Sequence, residues 1–500
     1  MNTISPSLQE IRDFKGKYPR QLWYLFLVEM WERFCFYGMR GVLTIFMADQ
    51  ILGLSLSDKE ANLKYGAIQA FVYAFTFIGG IFADKILGFK KSLFFGGIVM
   101  ILGNLIIAAS PQEFFYVGIT LSIIGTGFFK PNISSMVGEL YHEGDPRRDA
   151  GFGLFYSGIN IGALLGGAIC VYLGTSPDYG WAYAFLAAAI VMLIGLITFA
   201  ITKKSLGPIG DSPLQDLPQS KRTFNEIAVY VGSLLSIPLI FMMIRNTNYT
   251  DYFMYAIGPL ALLYFGYETM REPESKARKK LLAALIFILF SIIFWAFFEQ
   301  SGGSLALFAK NNLSTDLLFF DINPNIVNNT ANSLFVIIFS PLLGLLWIAM
   351  AKKKIEPSTV NKFGIGFLFL AAAFYVFYYT RFFANAEGIT SLNVFTIAYL
   401  IITFGELCLS PIGLSIMTKL SPKRLSGMMM GMWFLASAYG QYAAGLLGAG
   451  MSSPDENASL PTKLQGYTDG YHQLAIYALI AGVVLIASSP LIKKLMQEIK

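Results

Sequence analysis

Apolar residues in this chain run on in long blocks separated by short polar stretches. Blocks lie near 22–52, 66–86, 92–110, 114–137, 150–173 and 181–202. A stretch rich in Pro, Ser and Lys follows from Lys203 to Glu226, and two further blocks lie near 227–244 and 251–268. After Lys280 come six more, near 281–306, 331–351, 363–382, 394–418, 427–449 and 471–491. A hydrocarbon core about 30 Å thick needs roughly 20 mostly apolar residues per helix. The pattern therefore predicts an all-α integral membrane protein of 14 spans. It divides into tails at 1–21 and 493–500, six-helix sets at 22–203 and 281–492, and a linker with two additional helices at 204–280.

The polar stretches carry an orientation signal. Lys and Arg number 37, and 28 of them fall at the two ends of the chain or in every second connection. Only six fall in the alternate connections, and Arg33, Arg40 and Lys130 lie inside predicted helices. Basic residues accumulate on the cytoplasmic side, so both termini are expected in the cytoplasm of a plasma membrane, the inner membrane in a bacterium. The first 20 residues are polar and basic, without the apolar core and cleavage site of a signal peptide, so the first span is expected to be retained.

Composition narrows the classes. The chain is 55% hydrophobic and 14% charged, against roughly 25% charged in soluble domains. That excludes a disordered chain, a disulfide-stapled secreted domain and a nucleic-acid binder. The net charge of +6 is explained by topology without an anionic partner. Cys35, Cys170 and Cys408 lie in apolar stretches without metal-site spacing, and His142 and His472 are far apart. Neither a metal centre nor a cofactor is expected. No HExxH or GxSxG motif appears among the spans, so an enzyme is not expected.

The first span holds four charges in EMWERFCFYGMR, Glu29 to Arg40. At about 100° per residue, Glu29, Glu32, Arg33, Phe36, Tyr37 and Arg40 share one face about 140° wide. Insertion costs roughly 2.5–3.5 kcal/mol for such a group at mid-helix, so the stripe must face a bundle interior or aqueous cavity. Glu29 and Arg33 are one turn apart, as in an intrahelical ion pair. Lys130, Glu299 and Glu406 each lack an opposite charge within one turn of their own helix. The natural partners are Arg40 or Arg33 for Glu299, and Glu29 or Glu32 for Lys130. A cavity with basic and acidic walls suits a zwitterion. Without a histidine in these stripes, the carboxylates are the expected proton carriers, because gaining or losing a salt bridge moves a carboxyl pKa.

The two six-helix sets echo one another: GTGFFKPNISSM from Gly125 aligns with GELCLSPIGLSIM from Gly405, matching Pro131 with Pro411. Parallel halves of this kind characterise a large class of secondary transporters. The motifs resemble those of the proton-coupled oligopeptide transporter family of the major facilitator superfamily, in its bacterial form. EMWERFCFY matches the family's ExxERFxYY, FYSGINIGAL from Phe155 its FYxxINxGxL, and GTGFFKPN carries its lysine as Lys130. FFEQSGGSL, FGELCLSP and MGMWFL, with Trp433, match further core helices. GGIFADKILGFKK, with Gly80, Asp84, Lys85 and Gly88, is similar to the superfamily's gating-loop motif.

The resemblance implies a major facilitator fold and proton-coupled uptake of di- and tripeptides by alternating access, in a central cavity between the bundles. It implies that Glu406 binds the peptide amine, helped by Asn160 and Asn332, while Arg40 and Lys130 face the carboxylate. Glu299 would pair with Arg40 and exchange that partner for a proton; Glu29, Glu32 and Arg33 would couple protonation to movement. Tyr37, Tyr73, Trp433 and Ser437 would line the pocket. Asp84 and Lys85 would stabilise the closed cytoplasmic face, and the additional helix pair is common in bacterial members. The resemblance leaves the protein expected to work as a monomer in the lipid bilayer, with no cofactor beyond the proton. Two departures stand out: Phe36 replaces the first tyrosine of the YY pair, and TANSLF keeps Asn332 without the usual following proline. Carriage of another small solute, such as an amino acid, nitrate or a peptide-like drug, is the alternative within transport. A peptide-binding receptor is the alternative outside it.

Overall fold

The structure is a computed structural model and describes residues 5–453, 455 and 458–497. The chain ends assigned to the cytoplasm, residues 1–4 and 498–500, lie outside the described residues, as does the side chain of Pro411. The chain forms two compact units, Met1–Phe46 with Ile51–Leu54 and Phe71–Arg245, and Met47–Gln50 with Ser55–Ala70 and Asn246–Lys500. The division falls between Arg245 and Asn246, inside the 204–280 stretch.

The first unit begins with α1 (Leu8–Arg12), a single turn closed by a capping box between Ser7 and Glu10. Its long helices are α2 (Arg20–Met47), the second half of α3 (Asp58–Phe82), α4 (Phe89–Ala109), α5 (Pro111–Glu139), α6 (Arg147–Thr175) and α7 (Trp181–Thr202). The amphipathic α8 (Gln219–Leu235) and the short α9 (Ile237–Arg245) complete it. A π-helical turn at Ala83–Leu87 ends at Gly88, whose φ of 75° favours glycine. A Cβ there would also lie 2.5 Å from the Asp211 backbone. The gating-loop motif is thus seated on the 207–212 segment, where Ser212 Oγ donates to the Ile86 carbonyl at 2.6 Å. Asp84 and Lys85 themselves are exposed.

The second unit takes the first half of α3, then α10 (Thr247–Arg271), α11 (Ser275–Phe298), α12 (Ser304–Asn312) and α13 (Pro324–Lys352). It ends with α14 (Thr359–Tyr379), α15 (Leu392–Leu420), α16 (Ser426–Met451) and α17 (Leu460–Met496). Side chains of Asn246, Asn323, Ser358 and Ser391 cap α10, α13, α14 and α15. A two-residue hairpin, β1 (Asp316–Leu317) and β2 (Phe320–Asp321), is the only sheet among the described residues. Arg424, before α16, pairs with Glu268 at 2.8 Å and Glu272 at 3.4 Å and so ties α10 to this unit. The first half of α3 closes on α16 through glycine: a Cβ on Gly66 would lie 2.7 Å from the Gly445 Cα.

Among the described residues, eleven helices or helix pairs are long and apolar enough to cross a membrane. Three long helices fall outside that set: α2, α10 and α16, of 28, 25 and 26 residues. Charge explains α2, five tyrosines, two glycines and a proline dilute α10, and glycine and serine dilute α16. The count of 14 therefore rests on the sequence pattern.

Candidate functional site

In the first unit, glycine decides where the charged stripe of α2 sits. The helix α6 approaches along Gly158, Gly162 and Gly166, spaced four apart. A Cβ on Gly158 would lie 2.8 Å from the Phe26 ring, and one on Gly162 or Gly166 would collide with the carbonyl of Met30 or Phe34. Only a glycine face permits that approach. It buries the ionic stripe of α2: Glu29, Glu32 and Arg33 are 1%, 0% and 4% exposed.

Arg33 Nε donates to Glu29 Oε1 at 2.7 Å and lies 3.1 Å from Glu32 Oε2. That N–H is bonded to Glu29, and Glu32 is an ion contact beside it. Glu29 Oε2 and both oxygens of Glu32 accept no hydrogen bond from the described residues. Arg33 therefore finds its acids on its own helix. The Lys130 ammonium lies 4.3 Å from the Tyr73 ring centroid and 5.1 Å from that of Phe36, a cation–π arrangement. The departure at Phe36 thus puts an aromatic face against the lysine. The Arg40 guanidinium lies 5.7 Å from the Tyr37 ring, both half-buried. Asn160 is buried and donates from Nδ2 to the Tyr156 carbonyl of its own helix at 3.0 Å.

In the second unit, Glu299 is buried at the point where the span 275–312 breaks. Residues Glu299–Gly302 form a 3-10 turn between α11 and α12. The block near 281–306 is thus two helices joined by a tighter turn. The freed polar groups find partners: Gln300 donates from Nε2 to the Ala296 and Ala444 carbonyls at 3.0 Å each and accepts from Ser304 Oγ at 2.6 Å. Asn328 Nδ2 donates to the Ser301 carbonyl at 2.8 Å. The described residues include no group of His, Cys, Asp and Glu arranged to hold a metal ion.

Glu406 is half-buried on α15 and accepts from Asn332 Nδ2 at 2.9 Å. The same Asn332 amide donates to Thr403 Oγ1 at 3.1 Å. One turn away, Tyr399 donates its hydroxyl proton to Asn328 Oδ1 at 2.6 Å. Asn328 and Asn332 on α13, with Tyr399, Thr403 and Glu406 on α15, make a polar ladder. The sequence reading found only its Asn332 and Glu406; the four-residue spacing of Asn328 to Asn332 and of Tyr399 to Thr403 was the available signal. Trp433 is buried, with its ring where a Cβ on Gly413 would have to go. Ser437 donates to the Trp433 carbonyl at 3.2 Å, within its own helix.

The first unit thus holds a buried carboxylate cluster and the second an amide-held carboxylate. Comparison with known proteins decides the family. A family model described as PTR2, POT family, matches residues 90–464. The chain belongs to the POT family. It is similar to the peptide transporter YePEPT of Yersinia enterocolitica, with 35% identity over 97% of each chain. It is 29% identical to dipeptide and tripeptide permease B of Xenorhabdus bovienii over 96% of this chain and 97% of that one. Among solved structures, a POT family transporter in complex with 5-aminolevulinic acid matches with a TM-score of 0.83 and 28% identity, over 97% of this chain and all of that one. This POT family member is thus a multi-pass membrane protein of a transporter family, with peptide transporters among its relatives.

Proposed function

We propose that the chain takes up di- and tripeptides together with protons by alternating access, from a bacterial inner membrane with both termini in the cytoplasm. The six-helix sets at 22–203 and 281–492 are the working bundles, the 204–280 stretch adds two helices to make 14, and the protein works as a monomer. Glu406 reads the peptide amine, with Asn332 holding the carboxylate and Asn160 assisting. Arg40 and Lys130 read the carboxylate. Tyr37, Tyr73, Trp433 and Ser437 contact side chains and backbone. Glu299 exchanges Arg40 for a proton, and the Glu29–Arg33–Glu32 cluster couples protonation to movement. Gly80, Asp84, Lys85 and Gly88 steady the cytoplasmic face. No cofactor is needed beyond the proton.

The observation that carries this reading is the ionic imbalance on α2: two buried carboxylates face one guanidinium, Glu29 bonded to it and Glu32 only in ion contact, with oxygens left unbonded. Forming or breaking a salt bridge is the kind of change that moves a proton onto or off a carboxylate. One proton moving down 100 mV is worth about 2.3 kcal/mol, and one pH unit adds roughly 1.4 kcal/mol. Both act in the direction of accumulation. Relatives named as peptide transporters supply the substrate class.

The test is uptake of radiolabelled dialanine into proteoliposomes with an imposed pH gradient. Uptake should collapse with a protonophore and be competed by dipeptides, but not by free alanine or nitrate. Glu406→Gln and Lys130→Ala should each abolish it. Gradient-independent uptake, or full competition by free alanine, would sink the reading. The second reading is carriage of another small solute with an amine and a carboxylate, favoured by the relative solved with 5-aminolevulinic acid; competition by that acid but not by dipeptides would establish it.

A further inference from the structure

A cavity of about 670 Å³ opens in the first unit where the start of α4, the 3-10 turn Lys203–Leu206 that follows α7, the 207–215 segment and α8 come together. Its walls carry five cations, Lys90, Lys91, Lys203, Lys204 and Arg222, and one carboxylate, Asp211. Lys90 is neutralised by Asp211 at 2.8 Å and donates to the Gly207 carbonyl at 2.5 Å. Lys91 and Arg222 share Glu226, at 2.6 and 3.2 Å. Neither Lys203 nor Lys204 has an ion pair among the described residues; Lys203 lies 4.5 Å over the Phe94 ring, and Lys204 is exposed.

We propose that this cavity binds the phosphate of an anionic ligand, in the first place the headgroup of an acidic lipid of the cytoplasmic leaflet. Three lines of argument support it. The cations exceed the acids that face them, so an anion is needed to relieve their mutual repulsion. The volume falls in the range of ligand sites, about 300–1,000 Å³, larger than one small ion requires. The site lies where α4 begins and α7 ends, on the side the basic residues assign to the cytoplasm, at the level of lipid headgroups. Basic pockets between helices on that side are suited to acidic headgroups. A soluble organophosphate would present the same chemistry from the other source. The proposal stands independently of the transported solute.

The test uses the full-length purified protein in detergent. Native mass spectrometry with dioleoyl phosphatidylglycerol, cardiolipin and phosphatidylcholine gives lipid affinities, and titration with inorganic phosphate and pyrophosphate gives the soluble arm. Lys203→Gln with Lys204→Gln removes two cations that make no ion pair among the described residues. An acidic lipid should bind the wild type at least fivefold tighter than phosphatidylcholine, and the double variant should lose about tenfold or more, given roughly 1 kcal/mol per basic residue near a membrane surface. Lys352→Gln with Lys353→Gln, on the same predicted side but outside the cavity, should lose nothing. If that control loses as much, attraction is diffuse and the site is refuted. If pyrophosphate binds with the same dependence on Lys203 and Lys204 while acidic lipid does not, the phosphate site stands with a soluble ligand. If neither probe binds, the proposal is wrong. Should the double variant fold poorly, Lys204→Gln alone, at an exposed position, makes the same distinction.

Discussion

The two units place carboxylates in opposite kinds of surroundings. On α2, Glu29 and Glu32 are fully buried and face a single guanidinium. On α15, Glu406 is half-buried and held by a neutral amide, Asn332, which is itself held by Thr403. The first arrangement is compact, charged and short of donors. The second orients its carboxylate through neutral groups, an amide and the hydroxyl behind it. A carboxylate short of donors suits a proton; one aimed by an amide suits a ligand cation. On the proposed function, the same side chain serves two purposes according to what holds it.

Removing Arg33 should break this contrast with the largest effect. Arg33→Met strands two buried carboxylates beside each other, and loss of one partner from a buried pair costs about 3–5 kcal/mol. The variant should unfold at a clearly lower temperature in detergent and show no uptake. Adding Glu29→Gln to Arg33→Met should restore a large part of the thermal stability but not proton-driven uptake. Equal stability of Arg33→Met and the wild type would mean that the cluster is not held by charge.

Glu406→Gln comes next. A hydrogen bond involving a charged group contributes about 1.5–3 kcal/mol, so dipeptide affinity should fall roughly 10- to 150-fold, whether or not a pH gradient is imposed. Stability should hardly change, since the glutamine oxygen still accepts from Asn332. Glu32→Gln should do the reverse: gradient-driven accumulation falls away while dipeptide exchange at equal pH stays within about threefold of wild type, a difference below roughly 0.7 kcal/mol. If both variants lose exchange equally, the division of labour between the two carboxylates is wrong.

What the sequence disclosed of these two regions follows from cost. Glu29, Glu32, Arg33, Lys130, Glu299 and Glu406 are visible because charge inside an apolar span is expensive and demands a reason. The glycines that seat α2 on α6 are visible only as the spacing of Gly158, Gly162 and Gly166; which helix they receive depends on tertiary packing. Neutral partners are harder to see. Asn328, Tyr399 and Thr403 carry little cost alone, because an amide or hydroxyl on a membrane helix readily finds a backbone carbonyl. Their meeting depends on the register of α13 against α15, which no local pattern records. The break at Glu299 was hidden because FWAFF and LALFA on either side keep the span apolar. Its satisfaction by Gln300 and Asn328 is likewise a matter of tertiary contact.

The finest discrimination concerns Thr403. Asn332 Nδ2 carries two hydrogens and uses them on Glu406 and Thr403; with the hydroxyl present, both the amide plane and the carboxylate oxygen are fixed. In turn, Thr403 donates its own proton to the Tyr399 carbonyl at 2.7 Å, which orients its lone pairs toward Asn332. Thr403→Val keeps the shape and removes the acceptor, at a cost of about 1 kcal/mol. Half-maximal inhibition of labelled dialanine uptake by unlabelled dipeptide should rise about fivefold, while Thr403→Ser should stay near wild type. Because the change reaches the peptide amine only through Asn332 and Glu406, it should vanish in a Glu406→Gln background, where the amine has lost its charged partner. A Thr403→Val effect that persists undiminished in that background would show that the threonine acts through packing and that the ladder does not aim Glu406.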